Sequence, residues 1–213
     1  MERPSLAIVI PAFNEAKTIG AIVESLLIHG TVIVVDDGSD DDTAMIAKHA
    51  GAFVVQHPYN IGYDGALNSG FEKAITLKSE VIMTFDADGQ HSVSVIDDYI
   101  SEIECGADVV VGIRNRKARF SESIFSFISA KLWNINDPQC GMKAYRCEVF
   151  KRLGHFDSYG SIGTELCIFA AKNNFKIAQV QFEVAERIDD PRFGDFWGAN
   201  WKIFRAIILG VVR

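Results

Sequence analysis

Short apolar runs alternate with amphipathic stretches along the first half of the chain, regularly enough to predict the elements. Leu6 to Ile10 is uninterrupted apolar sequence, the pattern of a parallel strand covered on both faces. It stops at Pro11-Ala12-Phe13-Asn14-Glu15. Ile19, Ile22, Val23, Leu26 and Leu27 then recur at helical spacing, with Gly30 positioned to end the helix. Thr31 to Val35 predicts a second strand, closed by Asp36-Asp37-Gly38-Ser39, and Asp40 to Thr43 can cap a helix running to about Ala50. Phe53 to Gln56 predicts a short third strand. After Asn60-Ile61-Gly62 a helix carries Ala66, Leu67, Gly70, Phe71, Ala74 and Ile75 inward. A fourth strand begins at Val81, a helix over Val93 to Cys105 buries Ile96, Tyr99, Ile100 and Ile103, and Asp108 to Gly112 is a further strand. This alternation predicts a doubly wound α/β fold, with a mostly parallel sheet and helices on both faces.

Beyond Ile113 the pattern loosens. Arg114 to Arg119 is a basic loop, and Ser121 to Trp133 predicts a helix with Ile124, Phe127, Ile128 and Leu132 on its apolar face. Asp137 to Lys143 reads as a turn entering a short strand, Thr164 to Asn173 as a helix and Lys176 to Glu183 as a strand. Phe196 to Val212 sets Phe196, Trp197, Trp201, Phe204, Ile207, Ile208 and Val211 around Lys202 and Arg205, which predicts an amphipathic helix. Two settings suit that helix, a membrane interface or the protein's own core. No linker or repeat divides the chain, so residues 1–195 are expected to form one domain with 196–213 as its last helix.

Composition narrows the function. A chain of 213 residues with 48% hydrophobic and 23% charged residues is an ordinary globular protein, and the net charge of −7 argues against nucleic-acid binding. Cys105, Cys140, Cys147 and Cys167 match neither a zinc site nor a disulfide framework, which suggests free thiols in a reducing compartment. Met1 to Arg3 leads straight into a strand pattern, with no visible secretory signal and no apolar run long enough to span a membrane. A cytoplasmic setting is expected, with peripheral contact at the cytoplasmic face of a membrane if the last helix meets lipid. The oligomeric state is open.

The chemistry concentrates where the fourth strand ends, in Phe85-Asp86-Ala87-Asp88-Gly89-Gln90-His91. Asp86 and Asp88 are two residues apart, so in extended chain their carboxylates leave on the same side and repel unless a cation lies between them. Hard oxygen ligands at this spacing suit Mg²⁺ or Mn²⁺ facing a substrate phosphate; a polar turn is the other reading. Asn14-Glu15 and Asp36-Asp37 also fall at strand carboxyl ends, where ligands bind in open α/β sheets.

Taken together, Pro11-Ala12-Phe13-Asn14-Glu15, Asp36-Asp37-Gly38-Ser39, Asn60-x-Gly62 and Asp86-x-Asp88-Gly89-Gln90-His91 resemble, in that order, the nucleotide-sugar half of the family 2 glycosyltransferases, which have the GT-A fold. With Asp137-Pro-Gln-Cys-Gly-Met-Lys143, the chain looks most like the polyprenyl-phosphate and dolichyl-phosphate glucosyl- and mannosyltransferases. The resemblance implies a donor pocket lined by Pro11, Ala12, Asn14, Glu15, Asn60 and Gly62, with Asp36 on the base or ribose. It implies a Mg²⁺ or Mn²⁺ ion held by Asp86, Asp88 and Gln90 at the donor diphosphate, and Arg114 on a phosphate. Asp36 and Asp37 can both accept hydrogen bonds from ribose hydroxyls, although Asp37 and Ser39 also suit a helix-capping turn. The expected reaction is inverting transfer of a hexose from a UDP- or GDP-linked sugar to a polyprenyl phosphate.

The acceptor decides the remaining residues. A phosphate is already ionised and needs cations, for which Arg187, Arg192 and Lys143 are candidates, with Arg119 behind them. A sugar hydroxyl, as in cell-surface glycan synthesis, needs a base, for which Glu165 is the candidate. Three departures from the family pattern stand out. Tyr63-Asp64 replaces the lysine and glycine that often follow Asn-x-Gly, the short segment between Arg114 and Asp137 lacks, after Arg119, the arginine expected there and offers Lys131 instead, and Arg192-Phe193-Gly194-Asp195 replaces the usual late ending. Sugar nucleotidyltransferases, with a glycine-rich loop after the first strand, and phospho-receivers, with an acidic pair after that strand, fit poorly.

Overall fold

The computed structural model describes residues 3–87, 93–115, 120–183 and 196–212. Among the described residues, seven strands form one sheet: β1 (Leu6–Ala12), β2 (Thr31–Asp36), β3 (Phe53–Gln56), β4 (Val81–Thr84), β5 (Val109–Arg114), β6 (Lys143–Arg146) and β7 (Ile177–Phe182), in the order β3-β2-β1-β4-β6-β5-β7. All pairings are parallel except those of β6, which runs antiparallel between β4 and β5. The helices are α1 (Ile19–Leu26), α2 (Thr43–His49), α3 (Tyr63–Thr76), α4 (Ile96–Glu104), α5 (Phe120–Trp133), α6 (Cys147–Leu153), α7 (Glu165–Lys172) and α8 (Phe196–Val212).

Successive strand residues face opposite sides, so each central strand feeds two cores. Leu6, Ile8 and Ile10 of β1 join Val32 and Val34 of β2 beneath α1, α2 and α4, through Val23, Ala47 and Tyr99. Ala7, Val9, Ile33 and Val35 join Leu67 and Phe71 of α3, Phe150 of α6 and Leu166 of α7 on the other face. Continuous apolar strands therefore required helices on both faces, as the sequence predicts. A third cluster ties α8 to α5 and α7 through Ile203, Ala206, Ile207, Phe125 and Ile168.

Two readings need correction, and α8 gains detail. Helix α6 has no counterpart in the sequence reading; its seven residues are too few to establish a period, and only Gly154 in the left-handed conformation marks its end. In α5 the buried residues are Ser121, Glu122, Phe125, Ser126 and Ser129, whereas Phe127 and Leu132 are exposed. Polar partners turned that helix: Glu122 pairs with Arg114, and the Ser129 hydroxyl donates to the Ile135 carbonyl at 2.6 Å. In α8, Ile203, Ala206 and Ile207 pack inward while Phe204, Ile208, Val211 and Val212 face out. The side chains of Phe196, Trp197, Trp201 and Lys202 lie outside the described residues.

Candidate active site

The carboxyl ends of β1, β2 and β4 form one edge of the sheet, and the acidic clusters meet there. Ala12 of β1 pairs in register with Asp36 of β2, and Val9 of β1 with Thr84 of β4, two residues before Asp86. Asn14, at φ 55°, turns the chain after β1 so that its backbone N–H donates to the Ser39 hydroxyl at 2.9 Å, and its side-chain oxygen accepts from the Asp40 N–H at 2.9 Å. Glu15 is buried, its N–H on Thr43 Oγ1 at 2.8 Å and its carboxylate accepting from the Thr18 hydroxyl at 2.9 Å. Asn14 and Glu15 thus lace the loop after β1 to the loop after β2. Pro11 and Ala12 form the strand end beneath them.

Asp36 is 1% exposed. Its Oδ1 accepts from the Ser39 N–H at 3.2 Å, and its buried Oδ2 has no partner among the described residues. A buried carboxylate oxygen without a donor is costly, so this atom stands out as an unsatisfied acceptor among the described residues. Asp37 points elsewhere. Its carboxylate accepts from His57 Nδ1 at 2.8 Å and from the backbone N–H groups of Ile61 and Gly62 at 3.0 and 2.8 Å. That fixes the turn carrying exposed Asn60 and Gly62, the latter at φ 93°, a conformation suited to glycine.

Asp86 follows β4 and is partly exposed. The Tyr63 hydroxyl donates to its Oδ1 at 3.3 Å. Burial, then the charge of Asp86, raises the Tyr63 phenol well above its ordinary range, so it remains a protonated donor. On the other side stands Gly141, where a Cβ would lie 1.9 Å from Asp86 Oδ2. Only glycine leaves room for this carboxylate. Thr84 holds that loop in place, its hydroxyl donating to the Gly141 carbonyl at 2.6 Å. A hard oxygen donor on this partly exposed residue, with space kept for it by Gly141, fits a divalent cation. The other expected ligands, Asp88 and Gln90, lie outside the described residues, as do Arg187, Arg192, Arg119 and His91.

Arg114 ends β5 with its guanidinium engaged. Nε and one terminal nitrogen donate to the two oxygens of buried Asp137 at 2.8 and 2.9 Å, and the same terminal nitrogen to Glu122 at 3.1 Å. Burial opposes this charge, but Asp137 more than offsets it and Arg114 stays protonated. Cys140, packed beside this pair, has its thiol pushed up to about 12, chiefly by burial, and is inert. Lys143 is 3% exposed and donates from Nζ to the Gly163 carbonyl at 3.1 Å. Asp64 accepts the Gly163 N–H at 2.8 Å, and burial followed by the charge of Asp157 raises its carboxyl to about 6. Glu165, first residue of α7, is bound to His155 Nε2 at 2.9 Å and to the N–H and hydroxyl of Ser158. His57, Tyr63, Thr84 and Asp137 belong to this region without having been given a role; the departure at Tyr63 and the motif that Asp137 opens were the signals that pointed to two of them.

Residues 7–154 match the family model described as "Glycosyl transferase family 2". The chain belongs to that family. It is 30% identical, over 95% of its length and 94% of the relative's, to the UDP-N-acetylglucosamine–dolichyl-phosphate N-acetylglucosaminyltransferase of Methanococcus voltae. It is 28% identical to the dolichyl-phosphate hexose transferase of Haloferax volcanii, over 91% of this chain and 88% of the other. The fold matches glucosyl-3-phosphoglycerate synthase from Mycobacterium tuberculosis, solved with Mn²⁺, UDP and phosphoglyceric acid, with a TM-score of 0.77 at 24% identity over 98% of this chain and 79% of that one. The protein is therefore a glycosyltransferase of GT-A fold.

Proposed function

We propose that this glycosyltransferase moves a hexose, with inversion, from a UDP- or GDP-linked sugar to a polyprenyl phosphate. The observation that carries the donor half is Asp36, buried with one oxygen unpartnered among the described residues, at the same sheet edge as partly exposed Asp86. Asp36 would accept from the base or ribose. Pro11, Ala12, Asn14, Glu15, Asn60 and Gly62 would form the walls, with Asp37 beneath the Asn60–Gly62 turn. Asp86, with Asp88 and Gln90, would hold Mg²⁺ or Mn²⁺, which when bound neutralises charge on the departing nucleoside diphosphate. One acceptor phosphate oxygen attacks the anomeric carbon as the bond from that carbon to the diphosphate breaks, so the enzyme supplies no nucleophile.

The acceptor half rests on the two relatives named for dolichyl-phosphate transfer. A phosphate needs no base, and Glu165, committed to His155 and Ser158, is a loop strut rather than a free carboxylate. Arg187 and Arg192 would grip the phosphate, while buried Lys143 would act through its charge. Arg114 would meet a phosphate by keeping Asp137 and exchanging Glu122 for the ligand. Residues 1–195 would form the catalytic domain and 196–213 its last helix. No helix among the described residues is long and apolar enough to cross a membrane. The outward apolar residues of α8 support peripheral contact with a membrane, for which the cytoplasmic face is the proposed side.

The test of the donor site is a thermal-shift screen of UDP and GDP with Mn²⁺. One nucleotide should raise Tm in a metal-dependent way, because a ligand bound only by the folded state stabilises it by mass action. Asp36→Asn should abolish that shift; a full shift in the variant would remove Asp36 from the pocket. For the acceptor, Glu165→Gln should leave kcat within a few-fold of wild type, whereas a loss of about 100-fold or more would indicate a hydroxyl acceptor and a general base.

A further inference from the structure

Two side chains near the donor site have no place in the reaction just described, yet they are joined to it by hydrogen bonds. His57 bridges two elements: Nδ1 pairs with Asp37 at 2.8 Å, and Nε2 pairs with the Ser69 hydroxyl of α3 at 2.9 Å. Asp37 is acceptor-only, so Nδ1 carries the proton. The same carboxylate takes the N–H groups of Ile61 and Gly62. His57 therefore clamps the turn between β3 and α3 from below, with three donors on one buried carboxylate. The residue after Gly62 is Tyr63, and its hydroxyl reaches Asp86 at 3.3 Å.

A continuous path thus runs from Ser69 through His57, Asp37 and the Gly62–Tyr63 backbone to Asp86. At its far end the Asp86 carboxylate is confined between the Tyr63 phenol and the bare backbone of Gly141. Helix α3 is anchored independently: Asp64 takes the Gly163 N–H, and Asn68 takes the Phe156 N–H at 2.7 Å. Tyr63 projects from a fixed element and so can dictate the orientation of the carboxylate it touches.

We infer that Tyr63 and His57 are positioning residues for the cation site, Tyr63 by orienting Asp86 and His57 by holding, through Asp37, the turn that presents Tyr63. The inference rests on the proposed role of Asp86 as a metal ligand. Partners that orient a ligating carboxylate typically change metal affinity by about ten-fold or more when removed.

The experiment measures Mn²⁺ binding, from the electron paramagnetic resonance signal of the free ion, by the full chain with saturating UDP or GDP, beside Tm for each variant. Tyr63→Phe, which removes one oxygen atom, should weaken Mn²⁺ roughly ten-fold with little change in Tm. His57→Ala should weaken Mn²⁺ as well, and His57→Asn, whose amide can still donate to Asp37, should recover most of that loss. Wild-type Mn²⁺ affinity in Tyr63→Phe would overturn the role of Tyr63, and a lowered Tm with unchanged Mn²⁺ affinity in His57→Ala would make His57 merely structural. Failure of the wild-type chain to bind Mn²⁺ with either nucleotide would remove the metal reading of Asp86, and this inference with it.

Discussion

At the scale of single residues, the site is held together by groups whose environments oppose their usual states. Asp64 is the clearest case, its carboxyl raised from 3.8 to about 6 by burial and by Asp157. Between those values the folded chain binds more protons than the unfolded one, so this residue lowers stability as pH rises from about 4 to about 6. The deficit then persists at neutral pH and is on the order of 3 kcal/mol. Asp64→Asn keeps an acceptor for the Gly163 N–H and removes the titration. Urea unfolding should find the variant more stable by about 3 kcal/mol at pH 7.5 and by less than about 1 kcal/mol at pH 4; an equal difference at both pH values would mean that the gain is not electrostatic. Gly141 makes a different demand. A methyl group there must displace Asp86, since it would stand 1.9 Å from Oδ2. Gly141→Ala should reduce transfer by roughly 100-fold, the scale of an ångström misplacement in an active site, with an unchanged circular dichroism spectrum. Near-normal turnover would show that Asp86 is not needed where it stands.

At the scale of elements, the central strands were legible because continuous apolar runs admit one burial pattern, α1, α3 and α4 because each carries an apolar face, and α2 because of the capping residues before it. Legibility failed where tertiary partners chose the face. The apolar stripe of α5 is half solvent-exposed because Glu122 and Ser129 turn inward to Arg114 and the Ile135 carbonyl, contacts made by segments 8 and 6 residues away along an irregular chain. No periodicity encodes them. Helix α8 combines both behaviours, since its sequence is apolar on more than one side. Ile203, Ala206 and Ile207 bind it to α5, while Phe204 and Ile208 remain 39% and 60% exposed. Ile207→Ala should cost about 2–4 kcal/mol in unfolding free energy. Replacing Phe204 and Ile208 together by serine should change stability by less than about 1 kcal/mol and should reduce flotation with anionic liposomes. Undiminished flotation would assign the lipid contact, if the wild type has one, to another surface.

For the whole molecule, the sheet order explains why half of the site could be read in advance. β2, β1 and β4 are neighbours and parallel, so residues just past three apolar runs were bound to converge: Asn14, Asp36 and Asp86 are found together there. Asp37 also lies at that edge, but it supports a turn, a role that depends on His57 twenty residues later and that spacing could not reveal. The other half of the sheet contains antiparallel β6, inserted between β4 and β5, and its charges are paired by long-range contacts. Arg114 with Asp137, Lys143 with the Gly163 carbonyl and Glu165 with His155 are all of this kind. A residue type at a position announces its charge but not what it pairs with, which is why the edge formed by β1, β2 and β4 was more legible than the side built around β5 and β6. The claim that joins both halves is transfer from a nucleotide sugar to a lipid phosphate. Its most direct test is incubation of the full chain with radiolabelled UDP- and GDP-hexoses and a short polyprenyl phosphate, with Mn²⁺ or with EDTA, followed by organic extraction. The account predicts label in an extractable, acid-labile lipid, from one donor class, in the Mn²⁺ samples only. Label that never enters the lipid, while free sugars added as acceptors become glycosylated, would contradict it.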